Sequence, residues 1–198
     1  FLAKYELTMS QYGFIKYEYG QDSTRYKGWY RYREQKPQTI GYDREATKVK
    51  EFLRLLQERV INSGLIPKDW EFTIPTREEW IYACRAGTEG KYWWGNDLHR
   101  RWQKYDRDRG IRISSKFANY TVSNVEPSQE LKEVGFYPPN PWGFYDMWGN
   151  IPEYVISEDT QGRITHPVMG GGSSNTGLGF RPVQYLVGTL RVALKKIE

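Results

Sequence analysis

Aromatic side chains, not aliphatic ones, have to build the interior of this chain. Its 198 residues carry 16 Tyr, 8 Trp and 8 Phe within a hydrophobic fraction of only 38%, and 19 Gly and 10 Pro break the pattern at short intervals. Wide flat rings with frequent turns fit a loop-rich α+β domain in which Trp and Tyr are the packing units and long helices are few. The length suits one domain with a real core, expected over residues 1–198. The opening FLAKYELT starts mid-pattern, so this domain is expected to lack its N-terminal start.

Two helices stand out. ATKVKEFLRLLQERVINSG places Val49, Phe52, Leu53, Leu56, Val60 and Ile61 at helical spacing, with Gly64 set to end the run. In FTIPTREEWIYACRAG, Thr76 and Glu79 form the S/T-x-x-E pattern of a capping box, and Trp80, Ala83 and Cys84 follow on one face. FLAKYELT reads as a strand, SQYGFIKYEY as a short helix, and ITHPVM and GTLRVALKK as later strands. Cys84, the sole cysteine, excludes an internal disulfide and reads as a small core hydrophobe. That usage fits a reducing compartment or an exported protein without disulfides. No apolar run is long enough to span a membrane.

Few chemistries are open. His99 and His166 are the only histidines, too few for a multi-histidine zinc or iron site. No serine sits in a nucleophile-elbow context, and GGGSSNTGLG lacks the lysine and following helix of a phosphate loop. In NPWGFYDMWGNIPEYV, residues 140–155, Asn150 and Glu153 flank Pro152. They read equally as oxygen ligands of a bent calcium loop or as the capping groups of a core corner. The segment 99–112, HRRWQKYDRDRGIR, holds six Arg or Lys against two Asp within a net charge of +5. It reads as a solvated face, a surface for an acidic protein or glycan, or a weak nucleic-acid patch without a recognisable motif.

The blocks YELTMSQY, PQTIGYDREA, FTIPTREEWIYACRAG, WWGN, NPWGFYDMWGNIPEY, GGG and GFR, in this order, resemble the formylglycine-generating enzyme (sulfatase-modifying factor) family. The resemblance implies a C-type-lectin-like fold: an irregular antiparallel sheet, two main helices and long loops. It also implies catalysis by a copper-binding cysteine pair ahead of the final GFR, but no cysteine lies between Gly172 and Gly179. Related sulfoxide synthases use an iron held by three histidines, which this chain cannot supply. Neither copper nor iron is therefore expected, and the chain resembles a catalytically inactive relative.

The resemblance implies a calcium ion at the GN-x-x-E loop, with Asn150 and Glu153 as side-chain ligands and Trp148 and Ile151 as carbonyl donors. A second family calcium site would involve Asn119 and Tyr120, without a clear acidic partner. The expected role is a non-catalytic scaffold or interaction domain of a larger, extracytoplasmic (periplasmic or cell-surface) assembly with other protein subunits. Its alternative is a module that binds a glycan or another acidic polymer. Trp93, Trp94, Arg100, Arg101, Trp102 and Tyr105 are the expected interface. Nucleic acid is not an expected partner.

Overall fold

The computed structural model describes residues 1–17, 35–41, 46–96, 131–156, 164–168 and 187–197. Three helices and three two-stranded antiparallel ladders make up its regular structure among these residues. In chain order they are α1 (Met9–Tyr17), β1 (Ile40–Gly41), α2 (Thr47–Asn62), β2 (Trp70–Thr73) and α3 (Arg77–Arg85). There follow β3 (Glu153–Ile156), β4 (Ile164–Val168), β5 (Val187–Gly188) and β6 (Ala193–Lys196). The pairs are β1 with β5, β2 with β6, and β3 with β4, so the C-terminal strands close onto the early part of the chain.

Local chemistry explains the helices. Thr8 Oγ1 accepts from Gln11 N and Gln11 Oε1 accepts from Thr8 N, both at 3.1 Å, a reciprocal cap that starts α1. Thr76 and Glu79 form the expected capping box at α3. Helix α2 starts without a side-chain cap, at Ala46 with φ 50°, and its amphipathic face holds it instead. Val49 and Phe52 are fully buried, and Leu53, Leu55 and Leu56 pack around them. Gly64 adopts φ 70° and donates its N–H to Ile61 O, ending the helix as its position predicts. Gln57 then ties α2 to β2: its Nε2 donates to Trp70 O at 2.8 Å and its Oε1 accepts from Phe72 N at 2.7 Å.

The strand expected over FLAKYELT is instead an irregular ladder. Ala3 N donates to Val192 O, Leu7 N to Leu190 O and Leu194 N to Phe1 O, and the isolated bridges at Leu2 and Thr8 are all that remains of strand pairing there. Within it, Glu6 turns its side chain into the protein at 1% exposure. Residues Ile164–Val168 form β4, and GTLRVALKK is split between β5 and β6, with the inward-turned Arg191 between them.

Strand β3 lies between two cores. Val155 packs with Trp80, Ala83, Cys84, Tyr92, Trp94, Met147 and Trp148, whereas Tyr154 packs with Leu7, Tyr12, Phe52, Ile74 and Leu190. Adjacent strand residues point to opposite faces, so one short segment fills both sides. Rings dominate both clusters, with Tyr12 stacked on Phe52 at 5.2 Å and Tyr92 on Trp94 at 4.9 Å.

Phe52→Ala is expected to lower the unfolding free energy by about 3–5 kcal/mol, the usual cost of removing a buried ring. Leu65→Ala, at a side chain 78% exposed, is expected to change it by less than about 0.5 kcal/mol. Urea unfolding of both variants checks the difference.

Candidate functional site

The 140–155 stretch is a chain of corners, each closed by a side chain. Asn140 closes the first. Its Oδ1 accepts from Trp142 N and Phe144 N, both at 3.1 Å, while its Nδ2 donates to Ala83 O at 2.7 Å and Cys84 O at 3.3 Å. One buried amide thus holds the NPWGF turn and satisfies carbonyls at the end of α3. The second corner puts Asp146, Gly149 and Asn150 at φ 53°, 80° and 58°. Gly and Asn tolerate this left-handed region best, which is the physical reason for a Gly-Asn pair here.

Side chains on this corner meet two distant segments at Arg191, which is 0% exposed. Its Nε donates to Glu153 Oε2 at 2.9 Å and its Nη2 to Glu153 Oε1 at 2.7 Å, a bidentate ion pair. Nη2 also donates to Tyr145 O at 2.9 Å, and Nη1 to Ala3 O at 3.2 Å and Lys4 O at 3.0 Å. Guanidinium carries five N–H donors, and all five are used. Trp80 Nε1 adds a third donor to Glu153, at 2.7 Å from Oε2. Beside this pair, Asn150 Nδ2 donates to Glu6 Oε2 at 2.9 Å and its Oδ1 accepts from Lys132 N at 3.0 Å. Asp146 Oδ2 accepts from Gly135 N at 2.5 Å. Glu6 Oε1 and Thr189 Oγ1 are buried without a hydrogen-bond partner among the described residues.

The electrostatics follow from three carboxyl groups around one guanidinium. Burial, with Asp146 and Glu153 nearby, pushes Glu6 well above the usual carboxyl range, against smaller opposing effects of Arg191 and Asn150. Burial likewise raises Asp146 to about 6. Burial by itself would lower Arg191, but Glu153, with Glu6 and Asp146 behind it, outweighs burial and holds the guanidinium above its ordinary range. The cluster is therefore built to stay closed around a charged arginine.

These residues do not fit a calcium ion. Glu153 Oε2 already receives two donors and Oε1 one, from a guanidinium that would repel a second cation. Asn150 Oδ1 is occupied by Lys132 N. Among the described residues no three His, Cys, Asp or Glu side chains converge as a metal-binding group. Trp148 and Ile151, expected to act through their backbone carbonyls, place their side chains in the core. The signal for Arg191 was present in GTLRVALKK, where a charge interrupts an apolar run.

Of the expected interface residues, Trp93 and Trp94 are among those described. Trp94 is 8% exposed and sits in the core between Tyr92 and Trp148, and Trp93 is half-buried against it. WWGN is a tight turn, with Tyr92 and Gly95 exchanging backbone hydrogen bonds at 3.0 Å and Lys91 N donating to Asn96 Oδ1. That closure draws the Trp rings inward. Arg100, Arg101, Trp102 and Tyr105 lie outside the described residues, as do Asn119 and Tyr120, the 99–112 segment and the GGG and GFR blocks. Exposed rings occur elsewhere: Tyr82 is 68% and Trp142 45% exposed, and the two meet edge-on at 4.8 Å. A cleft of about 680 Å³ opens between the N-terminal segment, α1, α2 and the β2–β6 ladder, lined by Leu7, Phe14, Phe52 and Phe72 among others. Cys84 is 2% exposed with Sγ 3.5 Å from Met147 O, and burial pushes its thiol far above the ordinary range.

Comparison with known proteins places this architecture. The family described as "Sulfatase-modifying factor enzyme 1-like domain" matches residues 1–189. The chain belongs to that family, and with it to the C-type-lectin-like fold class. Mouse formylglycine-generating enzyme is 32% identical over 85 residues, 41% of this chain and 21% of that protein. Bovine inactive C-alpha-formylglycine-generating enzyme 2 is 32% identical over 87 residues, 43% of this chain and 26% of that protein. The matches thus span about a quarter of the length of these relatives, which include proteins named as enzymes and proteins named as inactive. Treponema denticola variable protein 1 is a solved structure with TM-score 0.47 and 14% identity, covering 98% of this chain and 78% of that one. Among the described residues no helix is long and apolar enough to cross a membrane.

Asp146 sets a pH dependence. A carboxyl whose pKa rises on folding stabilises the fold fully below its ordinary value of 3.8, and that contribution is lost as pH climbs through about 6. Glu6 acts in the same direction. Asp146→Asn keeps an acceptor for Gly135 N and removes the titration. Wild type is expected to lose on the order of 2 kcal/mol more than Asp146→Asn between about pH 4 and pH 7 in urea unfolding.

Proposed function

We propose that this chain is a non-catalytic member of its family that acts as an interaction domain within a larger extracytoplasmic protein assembly. The observation that carries this reading is Cys84. It is the chain's only cysteine, and its thiol is buried, held protonated and packed against Met147. A copper chemistry that needs two accessible thiolates has no counterpart in such a group. Relatives named as inactive support the same reading.

An interaction role draws on the exposed rings. Tyr82 and Trp142 form a protruding aromatic pair, and Phe14, 55% exposed, stands beneath the Arg59 guanidinium at 5.8 Å. Tyr, Trp and Arg are enriched at interface hot spots, and the two aromatics bury large areas for few rotatable bonds. The Tyr82–Trp142 pair also suits the second reading, a glycan-binding module, since a sugar ring can stack on an exposed indole face.

Three measurements test these readings. Incubated with copper and a cysteine-containing sulfatase-type peptide, the chain is expected to yield no aldehyde product by mass spectrometry above the copper-only control. Turnover above that control would overturn the non-catalytic reading. Native purification is expected to yield a stoichiometric protein partner, with Tyr82→Ser plus Trp142→Ser weakening the complex at least about tenfold while the fold is retained. A monomer whose tryptophan fluorescence responds to polysaccharides, with the response lost in Trp142→Phe, would favour the glycan reading instead.

A further inference from the structure

We propose that Arg191 supplies, from inside the chain, the positive charge that a calcium ion would supply at the Gly149-Asn150-Ile151-Pro152-Glu153 corner, so that the corner closes without a divalent cation. The inference rests on the donor accounting at Glu153 and is independent of the proposed function. Calcium binds carboxylate oxygens at about 2.3–2.6 Å and needs six or more oxygens converging on one point. Here both oxygens of Glu153 face the guanidinium, and Oε2 also receives the Trp80 indole. The corner's other expected side-chain ligand, Asn150, has its Oδ1 on Lys132 N and its Nδ2 on Glu6.

Charge opposes the ion as well. A calcium ion on Glu153 would stand roughly 5 Å from the guanidinium, and at an effective dielectric of about 20 the two would repel by roughly ten times thermal energy. Glu6 and Asp146 lie close enough to attract a cation, but they do not converge with Glu153 as a metal-binding group. Arg191 does what a bound ion does in such a loop. It gathers oxygens from three separate stretches of chain: Ala3 and Lys4, Tyr145, and Glu153. A tethered cation adds no association step, so the corner cannot be opened by dilution or chelation.

The test is thermal unfolding of the whole chain, followed by circular dichroism after dialysis against EDTA and again in excess calcium chloride. The two midpoints are expected to agree within about 1 °C. A calcium site filled at a hundred times its dissociation constant would instead raise the midpoint by about 5–10 °C for a chain of this size. Should calcium raise it, Asn150→Ala and Asp146→Asn together decide the location. A rise that persists in both variants comes from another site and supports the proposal, whereas a rise lost in either variant overturns it. Arg191→Lys keeps the charge with fewer donors. It is expected to lower the midpoint by about 5 °C or more and to remain indifferent to EDTA. An unchanged midpoint in Arg191→Lys would also overturn the proposal.

Discussion

The buried ion pair between Arg191 and Glu153 is the constraint on which the rest of the architecture depends. A charge at 0% exposure is tolerable only if it is neutralised and every donor finds an acceptor, and Arg191 meets both conditions. Its acceptors come from the start of the chain, the 140s loop and β3. Removing either partner would strand the other in the interior, a loss on the order of 3–5 kcal/mol. Replacing both with apolar groups need not cost anything, so the pair is better understood as fixing which segments meet than as a source of net stability.

Around that pair the chain reaches closure with side chains in place of long regular elements. The ladders are two to five residues long, too short to hold the described segments together by themselves. Asn140, Asn150 and Gln57 bridge the gaps by bonding backbone groups that no strand satisfies. Buried backbone must be paired somewhere, and in a loop-rich domain amide side chains are the available partners. The aromatic interior follows from the same economy of structure. With few helices to present aliphatic stripes, Trp80, Trp94, Trp148, Tyr92 and Tyr154 fill the space with large rigid rings.

The consequence for chemistry is that the most polar part of this domain is also its least accessible. Glu6, Asp146 and Arg191 have the shifted titration often found at active sites, yet with Glu153 they lie beneath the surface around one ion pair. Perturbation here reflects burial and mutual charge in a structural hub. The accessible features lie apart from it: the Tyr82–Trp142 pair at the end of α3 and the apolar cleft beside α1.

Residues within a few positions of one another were legible in the sequence. The Thr76–Glu79 cap, the α2 stripe with Gly64 at its end, the inward face of Trp80, Ala83 and Cys84, and β4 all follow from local spacing, and all are present. Family membership was carried the same way, by ordered short blocks along the chain. What tertiary structure alone decided is which partner each polar group receives. Asn150 and Glu153 could be read as ligands or as corner groups, and the partners they receive come from far along the chain: Arg191, 38 residues from Glu153, and Glu6, 144 residues from Asn150. Trp93 and Trp94 were expected at an interface, and the WWGN turn packs Trp94 against Trp148 with Trp93 half-buried beside it. Hydrogen-bond patterning over three or four residues fixes helices and turns, but the fate of a carboxylate depends on the charges that folding brings beside it.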